Sequence, residues 1–195
     1  MPVVTGLREL RGGRVAVELD GARWRTVPAE VVVRVRLGVG EALERPRLRE
    51  LARELRRARA VDTALRAVSR REQSAAELDL RLQRRGFAPG LREETLNRLE
   101  RVGLVDDERY AMRRAETLCE RGHGDEAIRW RLERGGVAHE TASKAIAALP
   151  PERQRARLVV AVRGAGLRTA TELARRGFGE DAIEDALGQV VADGP

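Results

Sequence analysis

The sequence predicts a mainly α-helical protein: three tandem three-helix repeats forming an elongated body, preceded by a small N-terminal domain that contains a β-hairpin. Three observations carry this prediction. A phrase occurs three times, as Leu82-Gln83-Arg84-Arg85-Gly86-Phe87, Leu132-Glu133-Arg134-Gly135-Gly136-Val137 and Leu173-Ala174-Arg175-Arg176-Gly177-Phe178. If each glycine is the left-handed residue that ends a helix, the leucine falls in the last helical turn. The apolar residue after the glycine then closes over it, as in a Schellman motif. The composition, 42% hydrophobic but only 3% aromatic, suits helices packed by aliphatic side chains better than a β-sandwich. From Pro46 onward the apolar residues recur at three- and four-residue steps, as one buried helix face requires.

The N-terminal region, residues 1–58, opens with β-formers at Val15 to Leu19, a hairpin turn at Asp20-Gly21, and a return strand from Trp24 to Val27. The run Val31 to Leu37 reads two ways, since its β-branching favours a strand while Pro28 before it and Gly38 after it favour a short helix. Two strands alone are marginal in water, so the hairpin needs a helix or a third strand from this run to pack on. Leu48, Leu51, Leu55, Ala58, Val61, Leu65 and Val68 then mark one long helix, or two joined at a kink.

Repeat 1, residues 59–105, is expected to hold helices near Ala60 to Arg70, Ser74 to Arg85 and Leu91 to Val102. Ser74 with Glu77 has the spacing of a capping box. Repeat 2, residues 106–149, begins a helix at Asp106 or Asp107 that runs to about Arg121, followed by helices from Gly124 to Arg134 and Glu140 to Ala148. Repeat 3, residues 150–195, follows Pro150-Pro151 with helices at Glu152 to Arg163, Thr169 to Arg176 and Gly179 to about Val191. Thr169 with Glu172 repeats the capping-box spacing. The intervals of 50 and 41 residues between the three glycines make the repeat a loose one. Leu82, Gly86 and Phe87, Leu132, Gly136 and Val137, and Leu173, Gly177 and Phe178 are its structural signature.

A net charge of +7 arises from 38 basic against 31 acidic residues, and Lys144 is the single lysine. Arginine suits bidentate contact with phosphate or carboxylate. Its dominance over lysine is equally what a GC-rich coding sequence produces, so the excess alone identifies no partner. The lone Cys119 excludes an internal disulfide and a cysteine-rich zinc site. No signal-peptide core or membrane-length apolar run is present, which predicts a cytoplasmic protein.

Catalytic apparatus is not visible. His123 and His139 belong to no metal-binding pair, Gly38-Val39-Gly40 lacks the rest of a dinucleotide fingerprint, and there is no phosphate loop. Asp106-Asp107-Glu108 reads as helix capping rather than a cation site. Cys119 reads as a packed thiol, Trp24 as cover for the hairpin face, and Trp130 as packed within its bundle. No enzyme activity, cofactor or metal is expected. The candidate partner-binding residues are Arg84, Arg85, Arg134, Arg175 and Arg176 before the repeat glycines, with Arg70, Arg71, Arg81, Arg113, Arg114, Arg121, Arg129 and Arg131 beside them. Arginines at helix C-termini also complement the helix dipole, so this placement has a purely structural reading too. Tandem presentation would match a partner that is itself repetitive, such as a filament.

The segment Gly103-Leu104-Val105-Asp106-Asp107-Glu108-Arg109-Tyr110-Ala111, followed by Gly122, Ile128, Leu132, Gly136 and Val137, resembles the RecX family of recombinase regulators. Ser74, Glu77-Leu78, Leu82 and Gly86-Phe87 resemble that family's first repeat, and Leu173 to Phe178 with Ile183 and Leu187 its third. The resemblance covers roughly residues 59 to 190. It departs at Gly135, where the family often carries a charged residue, and in the replacement of Lys by Arg. It implies a monomeric, non-catalytic protein that binds the RecA recombinase filament on DNA, lies in its groove, and inhibits ATP turnover, strand exchange and filament growth. Weak nonspecific DNA binding would accompany this, without membrane contact. The competing reading is a helix-turn-helix-like, sequence-specific DNA-binding regulator. An adaptor built as an α-solenoid is a third.

Overall fold

The computed structural model describes residues 1–192, which form three strands and ten helices and divide into two compact units. Residues 193–195 of the expected third repeat lie outside the described residues. One unit comprises Met1–Ser69 with Leu82–Asn97; the other comprises Arg70–Arg81 and the chain from Arg98 onward.

In the first unit, β1 (Val4–Leu10), β2 (Arg14–Leu19) and β3 (Ala22–Pro28) make an antiparallel sheet in that order. The β2–β3 hairpin turns at Asp20-Gly21, both at positive φ (50° and 79°), as a tight primed turn requires. Trp24 falls at a break in register between the Val17↔Arg25 and Glu18↔Arg23 pairs. It is 36% exposed, and the Arg25 guanidinium covers its ring at 4.4 Å. The third strand is β1, and not the valine run. That run forms α1 (Ala29–Arg34), which lays Val31 into a core of Val4, Val15, Val17, Val27, Val35, Leu37, Leu43 and Leu51. Packing on the sheet thus overrides the β-propensity of its valines.

A single helix, α2 (Arg45–Val68), carries the whole apolar stripe from Leu48 to Val68, so the first repeat's opening helix is its second half. Pro46 sits in its first turn and no later Gly or Pro interrupts it, which removes the usual causes of a kink. On this helix the buried carboxylate of Glu54 receives Arg57 at 2.6 Å and Arg34 of α1 at 3.1 Å. Arg57 also reaches Glu94 at 3.3 Å.

The later helices are α3 (Ala75–Arg84), α4 (Pro89–Arg101), α5 (Asp107–Glu120), α6 (Asp125–Arg134), α7 (His139–Ala147), α8 (Glu152–Arg163), α9 (Leu167–Arg175) and α10 (Glu180–Ala192). In the second unit α5, α6 and α7 enclose Tyr110, Ala111, Ala115, Leu118, Ile128, Leu132, Val137 and Ile146; Cys119 packs against this cluster. Helices α8, α9 and α10 enclose Ala156, Val160, Leu173, Phe178, Ile183 and Ala186.

The three repeat glycines end their helices alike, with φ of 77°, 82° and 78° at Gly86, Gly136 and Gly177. The N–H after each glycine donates back to the leucine carbonyl: Phe87 to Leu82 at 3.3 Å, Val137 to Leu132 at 3.1 Å and Phe178 to Leu173 at 3.1 Å. The glycine N–H closes the inner bond, at 2.9, 2.8 and 3.0 Å respectively. Both bonds of a Schellman motif are therefore present in every repeat. The same turn also ends α4 at Gly103 and α5 at Gly122, two sites the repeated phrase does not mark.

One half of the predicted capping forms as expected: Ser74 Oγ accepts the Glu77 N–H at 3.1 Å. The box at Thr169 and Glu172 does not. Helix α9 begins two residues earlier, and Thr169 lies in its first turn, 6% exposed, where the hydroxyl donates to the Gly164 carbonyl at 2.8 Å. Thr169 precedes Leu173 by four residues, as Leu78 precedes Leu82 and Ile128 precedes Leu132; it occupies an inward position, and the buried hydroxyl needs a local acceptor. Glu172 instead pairs with Arg163 and with Arg176.

Candidate partner-binding surface

Consecutive repeats of the second unit are joined by a recurrent junction, and it sets where their arginines can lie. The N-terminus of a middle helix docks on the Schellman turn that ends the next middle helix. At α3, Ser74 Oγ donates to the Gly135 carbonyl, while the Ala75 N–H donates to Asp107 Oδ1 at 2.8 Å. At α6, the N–H groups of Gly124 and Glu126 donate to the carbonyls of Arg176 and Gly177 at 2.9 and 3.1 Å. The Asp125 N–H donates to Glu152 Oε1 at 2.6 Å. Asp107 and Glu152 open α5 and α8, so in both junctions the first residue of the next repeat's first helix supplies a carboxylate to orphan N–H groups. Close approach demands small residues: a Cβ on Gly124 would stand 2.2 Å from the Gly177 carbonyl oxygen, and one on Gly136 would stand 2.1 Å from the Ala76 Cβ.

Arg155 fastens the second junction. Only 9% exposed, it donates through Nε to the Pro150 carbonyl at 2.9 Å, through Nη1 to the His123 carbonyl at 2.9 Å, and through Nη2 to Asp125. Its guanidinium lies 5.7 Å from the Phe178 ring centroid. Neither Arg155 nor the Glu152 cap is legible as a site in the sequence, because partners of both lie 27 to 32 residues away.

The candidate arginines divide by what they already hold. Arg71 pairs with Glu77 at 3.1 Å, Arg113 with Glu72 at 3.6 Å, and Arg129 donates to Ser143 Oγ at 2.7 Å. Arg176 pairs with Glu172 at 3.1 Å and donates to the Arg121 and Gly122 carbonyls at 3.2 and 3.4 Å. Arg134 lies over the Trp130 ring at 4.9 Å. That ring is 57% exposed rather than packed in the bundle, because the alternate positions Ile128 and Leu132 take the inward face of α6. Arg70, Arg81, Arg84, Arg85, Arg114, Arg121, Arg131 and Arg175 form no ion pair with a carboxylate among the described residues. Arg84 and Arg85, Arg134 and Arg175 are exposed at the same helix end in successive repeats.

Electrostatics single out one turn. His123 follows Gly122 at the end of α5, and burial, then the charges of Arg131, Arg176, Arg121 and Arg114, hold its imidazole below the usual histidine pKa. His139 instead contacts Glu133 through Nδ1 at 2.7 Å. Asp106 caps α5 by accepting the Arg109 N–H at 2.9 Å, and Arg109 is bound to Glu72 at 2.7 Å. Among the described residues no group of three His, Cys, Asp or Glu is placed to hold a metal ion, and no helix is long and apolar enough to cross a membrane.

Fold and surface together define a tandem helical-repeat protein that presents arginines at recurrent helix ends. The family model for RecX, first three-helix domain, matches residues 60–99. The regulatory protein RecX of Halorhodospira halophila is 35% identical over 135 residues, spanning 64% of this chain and 84% of that protein. That of Deinococcus radiodurans is 34% identical over 161 residues, 77% of each chain. The Mycolicibacterium smegmatis protein of the same name is 36% identical over 124 residues, 62% of each. The chain belongs to the RecX family. A crystal structure of regulatory protein RecX shares the fold, with a TM-score of 0.78 at 20% identity over 97% of this chain and all of that one. The RecX structure from Lactobacillus salivarius superposes with a TM-score of 0.60 at 17% identity over 70% of this chain and 97% of that one.

Proposed function

We propose that this protein regulates the RecA recombinase by binding its filament on DNA, occupying the groove and inhibiting ATP turnover, strand exchange and filament growth. Through this it modulates DNA repair and the SOS response, as a cytoplasmic, monomeric, non-catalytic binding protein. The observation that carries the reading is the recurrence of exposed arginines at one helix end: Arg84 and Arg85, Arg134, and Arg175. Each contact would be modest, but contacts linked in one chain gain avidity on a periodic target and little on a free protomer. Membership in a family whose relatives are named regulatory proteins supports a role exerted through binding.

The test is the DNA-dependent ATPase of the cognate RecA on single-stranded DNA, titrated with this protein at fixed salt, with a DNA-binding control for simple competition. Dose-dependent inhibition is expected. Its absence with folded protein and active recombinase overturns the reading. A specificity ratio of roughly 10³ or more for one duplex site over random DNA would establish the sequence-specific regulator instead.

A further inference from the structure

We propose that the open face of the N-terminal sheet binds single-stranded nucleic acid, with Arg8, Arg14 and Arg23 on its phosphates and Trp24 stacked on a base. These residues precede the helical repeats, and their role does not depend on the recombinase reading.

Strand pairing places the side chains. Successive residues of a strand point to opposite faces, and registered partners share a face. Val15, Val17 and Val27 enter the core with Val31 of α1 and Leu51 of α2, which fixes the covered face. The alternate rungs face the other way: Gly6, Glu18 and Arg23; Arg8, Ala16 and Thr26; Leu10, Arg14 and Pro28. Arg8 and Arg14 are diagonal neighbours across β1 and β2, with Cα atoms about 7–8 Å apart. On β3, Arg23 Nη2 donates to Thr26 Oγ1 at 3.4 Å, so both side chains lie on this face. Alternation from Thr26 puts Trp24 there too, and the break in register beside it is what lets two neighbouring residues share one side.

The charge of this face is lopsided. Arg8, Arg14 and Arg23 are exposed and form no ion pair with a carboxylate among the described residues. Glu18 is the carboxylate of the same rungs, and it leans onto β1: a Cβ on Gly6 would stand 2.6 Å from its Oε2, on the side away from Arg23 and Trp24. Glu9 pairs with Val15 and so belongs to the covered face, and Asp20 Oδ1 accepts the Val3 N–H at 2.8 Å. Arg25 adds a further cation, its guanidinium 4.4 Å from the Trp24 ring centroid.

An indole set among unpaired guanidinium groups matches the two parts of a nucleotide. The base is a flat π-surface that stacks on an aromatic ring or a guanidinium plane, and the flanking phosphates take arginine. Gly6, Ala16, Thr26 and Pro28 keep the middle of the face low, which lets a flat base approach. In a duplex the bases are already stacked on one another, and a flat sheet face offers no helix to enter a groove, so a single strand is the form that fits. An acidic peptide would engage the arginines and leave Trp24 idle.

The chain has two tryptophans, so Trp130→Phe leaves Trp24 as the sole indole of the intact protein. Titration with dT12 at low salt should quench Trp24 emission, with an affinity that falls as salt rises. Combining Arg8→Gln, Arg14→Gln and Arg23→Gln should lower the salt slope of this quenching by about 0.7 for each phosphate no longer neutralised, at an unchanged melting temperature. Arg8→Lys, Arg14→Lys and Arg23→Lys together should keep the slope. The site is overturned if dT12 leaves Trp24 emission unchanged, whether or not anisotropy shows it bound elsewhere, or if the glutamine variant folds and keeps the original slope. It is overturned as a nucleic-acid site if polyglutamate quenches as dT12 does, and as a single-strand site if a duplex of the same length does. Recombinase inhibition is assayed on the same protein: its absence overturns the recombinase reading alone, whereas an unquenched Trp24 overturns the sheet site alone.

Discussion

Glu152 caps a helix to which it does not belong: its Oε1 accepts the backbone N–H of Asp125 at 2.6 Å, across 27 residues of sequence. Oε2 of the same side chain takes the Gly179 N–H at 3.3 Å. One carboxylate thus serves a helix of the second repeat and the turn that follows the third repeat's glycine. Replacing it with Ala should cost about 1–2 kcal/mol, the scale of removing an N-cap, and Glu152→Gln less than Ala. Urea unfolding followed by circular dichroism measures this; equal stability of all three proteins would show that water replaces the cap at no cost.

Arg155→Ala should destabilise more than Glu152→Ala, by roughly 2–3 kcal/mol, because it leaves the Asp125 carboxylate and two carbonyls without their donor. Adding Asp125→Asn should recover part of that stability. A double-mutant cycle in urea gives the coupling directly.

The repeat glycines should differ in their tolerance. A Cβ on Gly86 meets open space, so Gly86→Ala carries only the left-handed strain of about 1 kcal/mol. A Cβ on Gly177 would lie 2.6 Å from the Ala127 backbone nitrogen, so Gly177→Ala must also force the junction apart. Thermal melts should therefore rank Gly177→Ala well below Gly86→Ala. An equal drop would mean that the junction has slack to absorb a methyl group.

Acid should loosen the N-terminal unit. Burial pushes the Glu54 carboxyl up, but hydrogen bonds from Arg57 and Arg34 outweigh burial and hold it below its ordinary value. A depressed folded-state pKa contributes stability that is present above the unfolded value, about 4.3, and is lost as pH falls through the folded one. Wild type should therefore lose more stability between pH 6 and pH 3 than Glu54→Gln does. Parallel urea titration curves for the two would remove this carboxylate as a source of acid sensitivity.

Charge reversal at Arg84 and Arg85, both exposed, should leave the melting temperature within about 1–2 °C, as for substitutions worth under about 0.5 kcal/mol, while weakening recombinase inhibition. Unchanged inhibition would confine these side chains to the helix-end dipole.

Local signals in the sequence carry most of the helical part. Glycine at a left-handed stop, Ser74 and Asp106 at helix starts and the Pro150-Pro151 break lie next to the ends they cause, so α3 to α10 begin and end within about two residues of where those signals place them. What local signals do not show is long-range. Strand β1 has a glycine inside it and no alternating apolar pattern, and it exists because Val4 pairs with Leu19 and tucks under the sheet. The valines of α1 have the propensity of a strand, and only the core they enter decides otherwise. The junctions are invisible for the same reason: Ser74 and Gly135 are 61 residues apart, and a serine that caps its own helix looks the same whether or not it also reaches a neighbour. Among the site residues, the arginines are easy to name, but which of them are already neutralised depends on Glu72, Glu77 and Glu172, whose positions only the fold determines.

The junction also limits how the array can grow. Docking on a Schellman turn places Ala76, six residues before Leu82, and Ala127, five before Leu132, against the glycine of the next unit. The corresponding positions before Leu173 hold Leu167 and Arg168, and Leu167 is 85% exposed. Bulky residues at that point stand in the way of the close approach that both described junctions use. Extending the protein by duplicating its third repeat, a unit of roughly 45 residues and of the size typical of helical repeats, would require these two positions to become small before the copies could join.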